Sequence, residues 1–249
     1  MKKENIKNKK IWNYYQTHLR KAFENAHVRF NYLLKIIKKN KKSGKHLDIG
    51  LGDGYFLMIS AQSGFKTCGI DIADESIAIN QKRLKKNNIK AELKKGNINK
   101  IPYKNNFFDI ISSSEVLEHL SNKDLNLGIK EINRCLKKKG LFIATVPADE
   151  ILEDNYCYCP NCDAVFHKWG HQQSFNAKKL NKLLSPYFKQ VKIYKRPTIQ
   201  FNRNLIEKIK FYTRWIRSWI SPKNLIGTYF IIALRPKKKG KKNEKEKII

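Results

Sequence analysis

Short apolar runs and longer amphipathic stretches alternate through the middle of the chain. The runs at 46–49, 67–71, 91–95, 108–113 and 141–146 are too short for helices and predict strands. Between them, 54–62, 74–86 and 123–136 place apolar residues at helical spacing, the last expected to end at Lys137-Lys138-Lys139-Gly140. Upstream, Trp12, Tyr15, Leu19, Phe23, Val28, Phe30, Leu33, Leu34 and Ile37 predict one or two amphipathic helices between Ile11 and Asn40. Lys41-Lys42-Ser43-Gly44 then breaks the pattern. Such alternation is the signature of a parallel sheet wound by right-handed crossovers. Ligands of such sheets sit at the carboxyl ends of the strands.

After Pro147 the rhythm stops for a Cys/His-rich stretch, 157–171, and resumes with a helix carrying Leu180, Leu183 and Leu184. Val191–Tyr194 and Tyr229–Leu234 read as the last strands. Between them, 201–220 mixes Ile, Phe and Trp with Lys and Arg at helical spacing, and a lysine tail expected to be disordered begins at Pro236. The expected organisation is an N-terminal helical segment (1–44), a core (45–150), a Cys/His insert (151–173), a C-terminal part of the core (174–235) and a basic tail (236–249).

The chain has 249 residues and is 41% hydrophobic, enough for one α/β domain with a full core. No run approaches the roughly 18 consecutive apolar residues of a membrane span, and the charged N-terminus lacks a signal peptide's apolar stretch. The cytoplasm is the expected location, with the five cysteines held as thiols or metal ligands. A formal charge of +31 invites a nucleic-acid reading. Lysine, however, supplies 43 of the 52 basic residues, and arginine, the better bidentate partner of phosphate and guanine, only nine. A generally basic surface explains the excess as well.

The sharpest chemical signal is His46-Leu47-Asp48-Ile49-Gly50-Leu51-Gly52-Asp53-Gly54, a strand running into a glycine turn and a helix. Glycines at 50, 52 and 54 let backbone amides approach a ligand at a helix start. Their spacing differs from the dinucleotide fingerprint G-x-G-x-x-G. Asp48 adds a carboxylate, which suits a ligand amine and points away from nicotinamide and towards S-adenosylmethionine. Asp53 is placed either for the ligand or for capping the helix. Asp71 closes the second strand about 20 residues on, where a carboxylate can hold both ribose hydroxyls. Gly96-Asn97-Ile98 follows the third strand and Ser114-Glu115-Val116-Leu117-Glu118-His119 the fourth.

Together these motifs resemble class I S-adenosylmethionine-dependent methyltransferases, most closely the small-molecule branch with an E-V-L-E-H segment after the fourth strand. The resemblance covers about residues 45–147, with 174–235 fitting the last two strands. It implies an α/β, Rossmann-like, seven-stranded, mostly parallel sheet with helices on both faces, plus the N-terminal helices and the insert. It implies that Asp48, Gly50, Gly52 and Gly54 surround the methionine moiety, Asp71 the ribose, Asn97 and Ile98 the adenine, and that Ser114 and Glu115 lie under the sulfonium. Family members often carry Asp where this chain has Asn97, whose amide oxygen can still accept from the adenine amino group. His119 is a candidate base for a hydroxyl acceptor and Glu118 an alternative base or its orienting partner. His119 reads equally as a packed helix-start residue.

In the insert, Cys159 and Cys162 form a C-x2-C knuckle, and His167 and His171 follow at H-x3-H spacing. Two thiolates and two imidazoles can close a tetrahedron around a structural zinc ion, with Cys157 an alternative third sulfur. The stretch C-P-x-C-x-x-x-F-H-x-x-G-H-x-x-S-F resembles an insert of methyltransferases encoded with surface-polysaccharide genes. Cys68 and Cys135 are expected in the core. The expected activity is methyl transfer to a small-molecule or glycan acceptor. The alternatives are an RNA- or protein-directed methyltransferase and a non-catalytic S-adenosylmethionine-binding protein. The 201–220 stretch is expected either to pack on the domain or to touch an anionic inner-membrane face.

Overall fold

The computed structural model describes residues 26–197 and 227–237, with Tyr14 and Thr213 as isolated described positions. Most of the expected helix between Ile11 and residue 25, the 201–220 stretch and the tail beyond 237 lie outside the described residues. In chain order the elements are α1 (His27–Asn40), β1 (Lys45–Ile49), α2 (Tyr55–Gln62), β2 (Lys66–Asp71), α3 (Asp74–Lys86), β3 (Ala91–Lys95) and β4 (Phe108–Ser114). They continue with α4 (Asn122–Cys135), β5 (Leu136–Ala148), β6 (Tyr156–Tyr158), β7 (Val165–His167), α5 (Ala177–Leu184), β8 (Phe188–Pro197) and β9 (Gly227–Pro236).

Seven strands form one sheet in the order β3-β2-β1-β4-β5-β9-β8. β1 to β5 pair in parallel, while β9 runs antiparallel to both β5 and β8. This is the α/β Rossmann-like, mostly parallel sheet expected from the sequence. β6 and β7 pair separately as a small hairpin within the insert.

Side-chain alternation along the central strands builds two cores from one sheet. Ile110, Leu141, Ile143 and Phe230 face α1 and α2, meeting Leu33, Ile37 and Phe56. Their neighbours Ile111, Phe142, Ala144 and Ile231 face the other side, with Leu125, Ile129 and Ile132 of α4 and Leu180 and Leu184 of α5. α3 packs beside α2 through Leu84 and Leu57. α4 starts where Ser121 accepts the Asp124 amide at 3.2 Å and donates to the Asp124 carboxylate at 3.0 Å, a reciprocal N-terminal cap.

One boundary differs from expectation. α4 ends at Cys135 and Leu136 already pairs with Phe108 in β5. The register jumps from Phe108/Leu136 to Ile110/Leu141, so Lys137–Gly140 bulge out of β5 instead of closing the helix. Burying Leu136 completely against Phe108 while Lys137 reaches Asp109 at 2.7 Å explains the abrupt change.

Phe142 is fully buried and stacks on Phe188 at 5.9 Å, joining β5 to β8. Phe142→Ala is expected to lower the unfolding free energy by about 3–5 kcal/mol. Equilibrium urea denaturation checks this, and a change below about 1 kcal/mol would contradict the packing described.

Candidate active site

The glycine turn leaves the carboxyl end of β1, beside the point where sheet order reverses between β1 and β4. Its backbone is left-handed at Gly50 (φ 79°) and Gly54 (φ 75°). A Cβ at Gly50 would lie 2.5 Å from Val116 Cγ2, and one at Gly54 only 2.0 Å from Asn80 Oδ1. Glycine is therefore required at both places by conformation and by space.

Asp71, at the end of β2, ties this turn to the rest of the site. Its carboxylate accepts the Leu51 amide at 3.0 Å, the Ala73 amide at 2.9 Å and the Ser76 hydroxyl at 2.9 Å. Its backbone carbonyl takes the Gly96 amide at 2.9 Å. Burial raises the Asp71 carboxyl above its ordinary range while these amides oppose the shift. Three of roughly four lone-pair directions are thus engaged within the protein. Holding both ribose hydroxyls requires the Ser76 hydroxyl to turn aside.

The cavity beside this turn is lined by Gly50, Gly52, Asp71, Asn97, Ile98, Ser114, Glu115 and His119, eight of the residues expected from the sequence. Asp48, Gly54 and Glu118 are not part of its wall. Gly54 is turned into α2 and Asn80. Asp48 lies beneath the turn, where Ser112 Oγ donates to it at 2.6 Å and His46 Nε2 lies 2.8 Å from the same hydroxyl. Burial pushes the Asp48 carboxyl up to about 7 and holds the His46 imidazole down to about 3. Asp48, expected beside the methionine moiety, thus lies beneath the turn and outside the cavity wall. Asp53 does begin the helix, accepting the Tyr55 amide at 3.1 Å, and it also holds His27 of α1 at 2.7 Å.

The far end of the cavity belongs to Ser114, Glu115, His119 and two residues that sequence reasoning missed, Arg29 and Gln172. Glu115 sits at φ 54°, a strained conformation fixed by its amide bonding Thr145 at 2.9 Å. Arg29 Nε donates to Ser114 Oγ at 3.2 Å, and its guanidinium lies 3.9 Å from Glu115 Oε1. Its signal was present: α1 carries three lysines but a single arginine, placed between core positions. Gln172 donates through Nε2 to the His119 carbonyl at 3.1 Å, and its amide bonds the Glu118 carbonyl at 2.7 Å. The insert is thereby laced onto the Glu118–His119 turn.

His119 is nearly buried, and its Nδ1 donates to the Gly170 carbonyl at 3.3 Å. Burial, then His171, lowers the imidazole to about 3, against the opposing carbonyls of Gly170 and Glu115. His119 is thus neutral at physiological pH, an acceptor of a hydrogen bond but a weak base. Glu118 is completely buried and its carboxyl is raised well above the ordinary range by burial and by Glu115.

The expected zinc ligands do not converge. Among the described residues, the groups of three or more potential ligand atoms within 4.8 Å are Glu118/His119/His171 and Glu150/His167/His171, neither containing a cysteine. The hairpin register accounts for this placement. Tyr156 pairs with His167 at the base, so Cys159 and Cys162 fall at the outer tip while buried His167 turns inward to Glu150. Cys157 is exposed on β6, and Cys68 and Cys135 are buried in the core.

Comparison with known proteins matches part of the chain to a sequence family and most of it to a known fold. Residues 47–144 match the sequence profile of the methyltransferase domain family. They form a methyltransferase domain of the class I S-adenosylmethionine-dependent type. The chain is 32% identical over 117 residues to the ubiquinone biosynthesis O-methyltransferase of Pelagibacter ubique, covering 47% of this chain and 48% of that one. It is 34% identical over 143 residues to an uncharacterized protein of Methanocaldococcus jannaschii, 56% of each. The chain thus spans about half the length of these relatives. The PH0226 protein of Pyrococcus horikoshii superposes with a TM-score of 0.60 at 20% identity, over 89% of this chain and 92% of that one. A phosphoethanolamine N-methyltransferase of Haemonchus contortus, solved with S-adenosylhomocysteine, gives 0.62 at 16% identity over 83% and 53%. These two structures share the methyltransferase domain's fold.

Two outcomes are expected. Asp71→Ala lowers S-adenosylmethionine affinity about 10–100-fold by calorimetry, while Ser76→Ala changes it by less than about threefold. Equal losses in both would show that Ser76, not the carboxylate, binds the ligand. Asp48 also makes a pH-dependent contribution. Its folded-state pKa of about 7 exceeds the ordinary aspartate value of 3.8, so the folded chain binds more protons between these values and loses stability as pH rises through them. Asp48→Asn removes this slope from denaturation midpoints of the ligand-free protein between pH 4.5 and 7 on the order of the shift itself; identical slopes in both proteins would contradict it.

Proposed function

We propose that the protein transfers the methyl group of S-adenosylmethionine to a hydroxyl of a small-molecule or glycan acceptor. The observation that carries this reading is the continuity of one cavity. It runs from Asp71 and Asn97 past Ser114 and Glu115 to His119, Gln172 and Arg29. The first end suits a nucleoside, and the last offers charged and polar side chains suited to a hydroxylated acceptor. The O-methyltransferase among the similar proteins supports oxygen as the accepting atom.

The acceptor oxygen attacks the methyl carbon in line, the carbon–sulfur bond breaks with its electron pair passing to sulfur, and the acceptor proton leaves to solvent. S-adenosylhomocysteine and a methyl ether result. With a sulfonium leaving group, much of the acceleration comes from positioning. His119 lines the acceptor end of the cavity and helps to orient the acceptor, and the Glu118 carbonyl fixes the surrounding turn. The insert, laced to that turn through Gln172 and Gln173, covers the acceptor side. Among the described residues no helix is long and apolar enough to cross a membrane. The basic 201–220 stretch is the segment that would bring the protein to an anionic membrane face carrying a lipid-linked acceptor.

Incubating the protein with methyl-labelled S-adenosylmethionine and cell extract tests the assignment. Label is expected in small-molecule or glycan fractions and stable to mild base, as an ether is. Label in RNA or protein would overturn the acceptor class. Binding of the cofactor without transfer to any fraction would overturn the activity.

A further inference from the structure

Glu118 presents a problem that methyl transfer alone does not solve. It is completely buried, and neither carboxylate oxygen has a hydrogen-bond partner. Glu115 and Glu150 add negative charge around it, while Arg29 is the cation that offsets them. A buried carboxylate without partners is costly unless a cation meets it.

Two histidines converge on the same point, and each has its tautomer set by a partner behind it. His119 Nδ1 donates to the Gly170 carbonyl at 3.3 Å, and its Nε2 lies 4.0 Å from Glu118 Oε1. His171 Nδ1 donates to Glu150 Oε2 at 2.6 Å, so its outer nitrogen is held by a carboxylate and Nε2 is the nitrogen left to face the site. The rings of His119 and His171 meet edge to face at 4.8 Å. A carboxylate or carbonyl behind the outer nitrogen of each imidazole is the arrangement that orients metal-ligating histidines.

We propose that Glu118, His119 and His171 bind one divalent cation of the zinc type, at the acceptor end of the cavity. Three protein ligands leave a coordination position open, as in sites that act on a bound ligand rather than merely brace a fold. His119 lines the cavity, so the open position faces the space assigned to the acceptor. There the cation would hold the acceptor oxygen and favour loss of its proton to solvent. Nitrogen and carboxylate donors together suit zinc better than magnesium or calcium.

His167 belongs behind this site rather than in it. Its Nδ1 accepts the Trp169 and His171 amides, both at 3.2 Å, and its Nε2 lies 3.3 Å from Glu150 Oε1, in contact but not in hydrogen-bond geometry. His167 positions Glu150, and Glu150 positions His171. The insert thus contributes one ligand and its support, while its cysteines remain outside.

The role of the cation rests on the methyl-transfer reading, but its presence does not, and the test separates them. The full chain, stripped with chelator and dialysed against Zn2+, is expected to retain about one metal per chain by elemental analysis. Glu118→Gln and His171→Ala abolish retention, and Glu150→Gln weakens it roughly 10–100-fold. The Cys159→Ser/Cys162→Ser double variant keeps the full equivalent. Calorimetric S-adenosylmethionine binding serves as the folding control for each. The Co2+ form is expected to show no thiolate-to-metal charge-transfer band. Zinc lost from the cysteine variant, or a thiolate band, would overturn the ligand set in favour of the knuckle. Failure of the wild-type chain to retain metal while binding S-adenosylmethionine would overturn the proposal and leave the methyltransferase reading intact.

Discussion

The Asp71 carboxylate is the constraint on which the site depends. It receives the Leu51 amide from the glycine turn, the Ala73 amide at the start of α3 and the Ser76 hydroxyl from within that helix. Through its carbonyl it also takes the Gly96 amide, just past β3. One residue thereby fixes the ends of three strands and a helix relative to one another. This ordering is done on folding, so a bound nucleoside meets a wall already in place. The ribose contact expected of Asp71 would use the same oxygens, and the Ser76 hydroxyl is the group able to yield.

A second set of bonds closes the opposite wall. The Glu118 carbonyl accepts the amides of Gln172 and Gln173, and the side chains of both glutamines return to the His119 and Leu120 carbonyls. The insert is therefore part of the cavity's construction and not an appendage. On the third side, α1 is clamped to the turn by the His27–Asp53 contact at 2.7 Å and by His27 stacking on Tyr55 at 3.7 Å. Arg29 reaches the reaction end from that clamped helix.

The core was legible where local chemistry and burial agree. α3 runs over the residues expected because Asp74 and Glu75 open it and Arg83, Lys85 and Lys86 close it, matching the helix dipole. The sheet followed from apolar runs bounded by glycine and asparagine. Legibility failed where a side chain's direction depends on distant partners. Asp48 lies one residue before the end of β1 and Asp71 ends β2, yet only Asp71 borders the cavity, because Asp48 turns to Ser112 on the neighbouring strand. The lysine run after α4 looked like a helix end and is a bulge, since Leu136 already had a strand partner in Phe108. The Cys/His spacing recorded intervals along the chain, but the hairpin register decided which of those side chains meet.

A crystal structure of the protein with S-adenosylhomocysteine tests the account most directly. The account predicts the ribose hydroxyls on Asp71, the adenine between Asn97 and Ile98, and the sulfur above Ser114 and Glu115, open towards His119. A ligand lying reversed, with its homocysteine moiety at Asn97, or bound away from the glycine turn, would contradict it.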